Sequence, residues 1–328
     1  MVGERRSMPD DFDYSQPRQQ ENLVIEVPVI SYALIALCVL VTLAHYTSSP
    51  GPDLWSRIGH FGDPDSADVW DGRYYQLFTA IFLHSDFRGA GLMHIVFNMM
   101  WLYQLGPILE HTMGRSRYLG FIIASAFIGS CAEMAVSGNV GIGFSGIVYA
   151  MFGLTWGGRG FHPVWDAVAN DANKRTFIGW GLLCLVLTVA NYLRIANGAH
   201  FGGLLFGFCV GKLVFAPRRK PIFAAPLGAL VALCIVALLY MPWQWQWDLW
   251  KAGREFDAQR YPAAVKWYDV CLRHGGPPDV CWENTAGAWH NLGIDARQRG
   301  DAALAARAKV NESEAEDKLA ASEAAKSN

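Results

Sequence analysis

Seven apolar runs punctuate this chain, near residues 29–48, 91–109, 117–137, 144–158, 176–193, 199–216 and 223–241. A helix needs roughly 20 apolar residues to cross a bilayer, and in lipid it satisfies its own backbone hydrogen bonds. The runs therefore predict an all-α membrane protein, a polytopic bundle of about seven spans followed by a small soluble helical tail. Composition agrees: 52% of the residues are hydrophobic and 17% are charged, against about a quarter charged in soluble domains. The net charge of −2 gives no reason to expect nucleic-acid binding. The fourth run is short and glycine-rich, which suits a helix enclosed by others.

The flanking segments complete the organisation. Residues 1–28 are polar, with Arg5, Arg6 and Arg18 and no apolar core of a cleaved signal, and read as a disordered cytosolic leader. Basic residues follow the second, fourth and sixth runs: Arg115 and Arg117; Arg159, Lys174 and Arg175; Lys212, Arg218, Arg219 and Lys220. By the positive-inside rule the N-terminus is cytosolic and the tail extracytosolic. The 49–90 loop carries Trp55, Phe61, Trp70, Tyr74, Tyr75, Phe78, Phe82 and Phe87. Such aromatic density predicts short helices half sunk in the outer leaflet. Residues 29–216 thus form a six-span core, and 217–242 a linker and seventh span.

Trp243, Trp245, Trp247 and Trp250 open the tail as an interfacial anchor. Within 243–310, Gly253–Tyr268 is loosely echoed by Leu292–Ala306, a pattern shared by tetratricopeptide-like repeats and by plain helical hairpins. Residues 311–328 read as helical or disordered. Cys38, Cys131, Cys184, Cys209 and Cys234 lie in apolar runs as small core residues. No Cys/His metal spacing occurs, so neither a metal nor a cofactor is expected.

Polar side chains inside spans are costly and point to function. His94 and Asn98 open the second span, Ser145 the fourth and His200 the sixth, all three running in the same direction. The four residues therefore share one depth below the outer surface. Ser145 and His200 make a nucleophile–base pair, the minimum for acyl transfer. With no intramembrane aspartate at hand, a dyad fits better than a triad. His94 and Asn98, four residues apart on one helix face, suit an oxyanion hole completed by the backbone N–H of Ser145. Gly146, Ala150 and Gly153 face Gly203, Gly207 and Gly211 as small-residue stripes that let two helices approach closely. Gly143 and Gly146 leave clearance around Ser145, and Tyr149 lies one turn below it to support the His200 ring. His45, His84 and His111 read as interfacial or structural, Glu133 as a snorkelling carboxylate, and Glu110 as satisfying a helix end.

Leu92-Met-His94-Ile-Val-Phe-Asn98, Gly106…Glu110-x-x-x-Gly114, Gly143-Phe-Ser145-Gly146 with Tyr149, and Ala199-His200-Phe-Gly-Gly203-x-x-x-Gly207 together resemble the rhomboid intramembrane serine proteases. The likeness covers about residues 70–215. It implies a protease acting on single-span membrane proteins in or near their spanning segments. Ser145 would be the nucleophile, His200 the base, and His94 with Asn98 the oxyanion donors, in a bacterial inner membrane. Tyr75-Gln76 stands where many members carry Trp-Arg, and the 85–91 loop is longer than usual. In an oxidising compartment Cys271 and Cys281 would be able to pair. The tail invites a protein partner of its own. An inactive client-binding relative and a proton-relay transporter are the rival readings, and the retained Ser145 and His200 argue against the first.

Overall fold

The computed structural model describes residues 27–47, 66–84, 90–216, 218 and 220–327. Most of the leader lies outside this range, as do Trp55, Phe61 and Phe87 of the first loop. Among the described residues the fold is helical throughout. Its elements are α1 (Val29–Thr47), α2 (Ser66–Trp70), α3 (Gln76–Thr79) with a 3₁₀ turn (Ala80–Phe82), α4 (Ala90–Met113), α5 (Arg115–Ser137) and α6 (Ser145–Gly157). Then come α7 (Pro163–Val168), α8 (Asp171–Val189), α9 (Asn197–Val210) continued by a π turn (Gly211–Phe215), and α10 (Ala224–Leu239). Four more helices form the tail: α11 (Trp245–Asp257), α12 (Tyr261–Arg273), α13 (Pro278–Gln298) and α14 (Ala302–Ser327).

A helix stands at each of the seven apolar runs, but they differ in reach. Four stretches are long and apolar enough to cross a membrane: Leu92–Met113, Arg115–Ser137, Asn197–Phe215 and Pro221–Leu239. Helix α8 begins with the charged turn of Asp171, Lys174 and Arg175, which shortens its apolar part. Helix α6 has 13 residues, about 20 Å at 1.5 Å per residue, short of the ~30 Å hydrocarbon layer. It is nevertheless the most enclosed element, with Ala150, Met151, Phe152 and Leu154 shut off from the surface. Large apolar side chains such as Val96, Tyr103, Ile123, Val186 and Leu239 are exposed on the outer helices. On a soluble protein they would be an aggregation liability; here they meet acyl chains. The chain is an integral multi-pass membrane protein.

Glycine sets the distance between α6 and α9. A Cβ on Gly203 would run into the carbonyl of Gly146, one on Gly207 into that of Ala150, and one on Gly153 into that of Leu204. Backbone meets backbone, so neither helix can yield without breaking its own ladder. Gly207→Leu is expected to destabilise the fold by at least ~3 kcal/mol, the upper range for overpacking. Gly179→Leu, at a position with nothing within 4 Å of an added Cβ, should be near neutral. Thermal unfolding in detergent compares the two, and equal stabilities would refute this account of the interface.

Two buried carboxylates hold helix ends. Glu110 of α4 accepts from the backbone N–H of Ile30 at 3.0 Å and of Ser31 at 2.9 Å, and from the Ser31 hydroxyl at 2.8 Å. It thereby satisfies the free donors at the start of α1. Gly106 makes room for this, since a Cβ there would sit 2.8 Å from Ser31 Oγ and 2.9 Å from the Tyr118 hydroxyl. Gly114, at φ 81°, turns α4 into α5. Glu133 does not snorkel: it is buried, and its Oε2 accepts from the backbone N–H of Ala199 at 3.2 Å. It caps α9, the helix that carries His200.

The tail is two helical hairpins in succession, with α11 on α12, α12 on α13 and α13 on α14. Helix α14 runs unbroken through residues 311–327. Cys271 and Cys281 are buried free thiols whose sulfurs lie 3.0 Å apart, on α12 and α13. Asp248, fully buried, faces His274 Nδ1 at 2.6 Å, and that burial pushes its carboxyl above the usual range. Three of the four tryptophans that open the tail, Trp243, Trp247 and Trp250, contact the rest of the protein. Trp243 Nε1 donates to the Ala135 carbonyl at 3.0 Å, and Gln246 Nε2 to that of Ser137 at 2.9 Å, covering the last turn of α5. Trp247 and Trp250, in contact with each other, both pack against Trp70 of α2, with ring centroids 5.0 and 5.7 Å away. Trp70 Nε1 donates to the Ala237 carbonyl at 3.1 Å, and Trp250 Nε1 to Asp71 Oδ1 at 3.0 Å.

Candidate active site

Three helices and one loop end converge on Ser145. The serine is the first residue of α6, so the leading N–H groups there have no acceptor inside the helix. His200 lies in the first turn of α9, brought across by the glycine contacts below it. The result is a distance of 2.7 Å between Ser145 Oγ and His200 Nε2. In the tautomer with its proton on Nδ1, the imidazole accepts from the serine hydroxyl. Nδ1 itself is buried without a partner, so among the described residues no third acidic side chain bonds to the ring. Tyr149 stacks on the imidazole, with centroids 4.6 Å apart and planes at 15°. Its own hydroxyl donates to the Phe177 carbonyl at 3.1 Å, which fixes the stack.

The donors expected from α4 lie alongside. A Cβ on Gly143 would sit 2.6 Å from His94 Nε2 and 3.4 Å from Asn98 Nδ2. Both side chains therefore crowd the backbone two residues before Ser145. Gly143, at φ 98°, is a place where only glycine fits on conformational and steric grounds alike. Asn98 Nδ2 is buried with no hydrogen-bond partner among the described residues. An unspent donor in a buried setting is rare, and this one stands beside a hydroxyl nucleophile candidate. A Cβ on Gly146 would sit only 3.2 Å from the Cβ and the carbonyl oxygen of Ala199, closer than ordinary van der Waals contact, and Gly203 makes the contact already described. A cavity of about 20 Å³ opens beside Ser145, between Ser125, Gly129, Gly141, Ile142 and Ala196. That is room for a water molecule, and the Ser125 hydroxyl on its wall has no partner.

Residues 71–217, which hold every one of these side chains, match the Rhomboid domain family. Over that stretch the chain is similar to rhomboid domains. Similar proteins include the rhomboid protease GlpG of Salmonella choleraesuis (strain SC-B67), 29% identical over 195 residues, covering 58% of this chain and 65% of the relative. The rhomboid protease GlpG of Salmonella paratyphi A (strain ATCC 9150 / SARB42) is 33% identical over 157 residues, covering 47% of this chain and 51% of the relative. The chain thus spans between half and just under two-thirds of the length of these relatives. The tail from α11 onward lies beyond the matched rhomboid domain.

The structure brings all eight anticipated residues of the rhomboid domain together: Ser145, His200, Asn98, His94, Tyr149, Gly143, Gly146 and Gly203. Besides Glu133, a histidine is placed differently from the sequence expectation. His84, expected at a membrane interface, is fully buried with its ring 5.1 Å from that of His94. Its position after a 3₁₀ turn in an aromatic loop gave no periodicity from which a direction could be read.

Proposed function

We propose that this chain is an intramembrane serine protease that hydrolyses peptide bonds of single-span membrane proteins in or near their spanning segments. The observation that carries this reading is the 2.7 Å approach of Ser145 Oγ to His200 Nε2 across two helices. His200 takes the hydroxyl proton as Ser145 attacks the scissile carbonyl, then returns it to the leaving amine. Tyr149 keeps the imidazole plane in register through both transfers. The oxyanion that forms is met by Asn98 Nδ2, by His94 and by the Ser145 N–H at the positive end of α6. A water entering beside Ser145 then resolves the acyl-enzyme by the same route in reverse.

The orientation that suits this chemistry has the N-terminus in the cytosol and the tail outside a bacterial inner membrane, as the basic loops indicate. The tail's contacts with α2, α5 and α10 favour an intramolecular role for α11 over recruitment of a separate protein.

A fluorophosphonate probe is expected to label the detergent-solubilised protein once, with the mass shift on the peptide containing Ser145. His200→Ala should lose that label while keeping its fold by circular dichroism. Absence of labelling in folded wild-type protein, or a label on another serine, would overturn the assignment.

A further inference from the structure

We propose that His84 is a positioning residue for the hydrolysis, holding the backbone immediately ahead of the nucleophile; this rests on the protease reading above. The loop 143–144 leads into Ser145, and its two successive amides are both taken by the end of the first loop. Gly143 N–H donates to the Ala80 carbonyl at 3.1 Å, and Phe144 N–H donates to His84 Nε2 at 3.3 Å. Phe144 is fully buried, so without the imidazole its amide would have neither water nor protein to meet. His84 is itself set from behind. Its Nδ1 lies 3.3 Å from the Phe82 carbonyl and 3.4 Å from Thr42 Oγ1 on α1. The Thr42 hydroxyl donates to that same carbonyl at 3.3 Å.

These contacts define the ring's protonation pattern. Nε2 accepts, so it carries no hydrogen, and Nδ1 bears the proton and donates to Phe82 or Thr42. The ring also borders His94, 5.1 Å away, so one side chain buttresses the nucleophile's backbone and a proposed oxyanion donor together. The hydrogen bonds of His84 run to Phe144, Phe82 and Thr42 and not to the dyad, which makes it a positioning residue and not a catalytic one. A displacement of the Phe144 amide would shift the Ser145 hydroxyl and N–H relative to His200 and Asn98, and errors near 1 Å in such constellations cost on the order of 100-fold in rate.

The test uses the full chain in liposomes with a single-span substrate, comparing wild type, Ser145→Ala, His84→Leu and His84→Gln. His84→Leu is expected to lower kcat on the order of 10- to 100-fold with KM within about twofold. In His84→Gln the amide oxygen can accept from Phe144, and most of that loss should be restored. Equal losses in both variants, or no loss in His84→Leu, would overturn the proposal. Because His84→Leu removes a buried polar contact and can fail to fold, the wild-type ring is also read directly by ¹⁵N NMR. A proton on Nδ1 supports the assignment, and a proton on Nε2 excludes it. If wild type and Ser145→Ala cut alike, the protease reading falls, while the NMR result still decides what His84 holds.

Discussion

Ser145→Ala is expected to leave no measurable cleavage of a single-span substrate, a fall of at least about 10⁴-fold. At 1.36 kcal/mol per decade, that is a loss of roughly 5 kcal/mol of transition-state stabilisation from one oxygen atom. Ser145 is half-buried and its hydroxyl meets His200, so removing the oxygen should leave thermal unfolding unchanged. His200→Ala should cost about as much, and the double variant no more than either single one, because base and nucleophile act as a unit. Purified protein in liposomes, with product separated from substrate on gels, reads all three variants. Additive losses would mean that the two residues serve separate steps. Undiminished cutting by Ser145→Ala would end the protease reading.

Asn98→Leu should separate activity from stability in the opposite way to an ordinary core substitution. One oxyanion donor is typically worth 10²–10³ in kcat, ~2.7–4 kcal/mol, and the variant should lose about that much with KM little changed. Yet Asn98 Nδ2 is buried without a partner in the resting protein. Leaving such a donor unsatisfied costs ~1–3 kcal/mol, a strain that an apolar side chain of similar size removes. The variant is therefore expected to unfold at the same temperature as wild type or higher. A variant that kept its rate would take Asn98 out of the oxyanion hole. One that lost rate and stability together would give it a structural role.

The parts of this molecule that were legible beforehand are those whose meaning is local or periodic. Ser145, His200, His94 and Asn98 could be placed at one depth because helix length and loop charge fix depth without tertiary information. The facing glycines could be matched because their spacing repeats every turn. Glu133 was misread because its partner, the amide of Ala199, is 66 residues away, and a carboxylate near a span end looks the same whether it snorkels or caps. His84 failed for the same reason: nothing in Ile-Phe-Leu-His records that Phe144 will stand opposite. The aromatic residues of the first loop and of the tail were visible as two separate clusters. That Trp70 packs against both Trp247 and Trp250 joins them, and it is a property of the assembled fold alone.

That packing has a thermodynamic consequence for α2 of the first loop. A short surface segment ordinarily opens on its own, at little cost, when few buried contacts hold it. Here α2 is bonded to the last turns of α10 through Trp70 and to α11 through Asp71, and Ser66 Oγ reaches the Gly138 carbonyl at 2.7 Å. Lifting α2 therefore means parting it from a four-helix domain as well as from the bundle. Helix α2 and the tail share one cooperative unit, and α2 takes its stiffness from residues more than a hundred positions downstream.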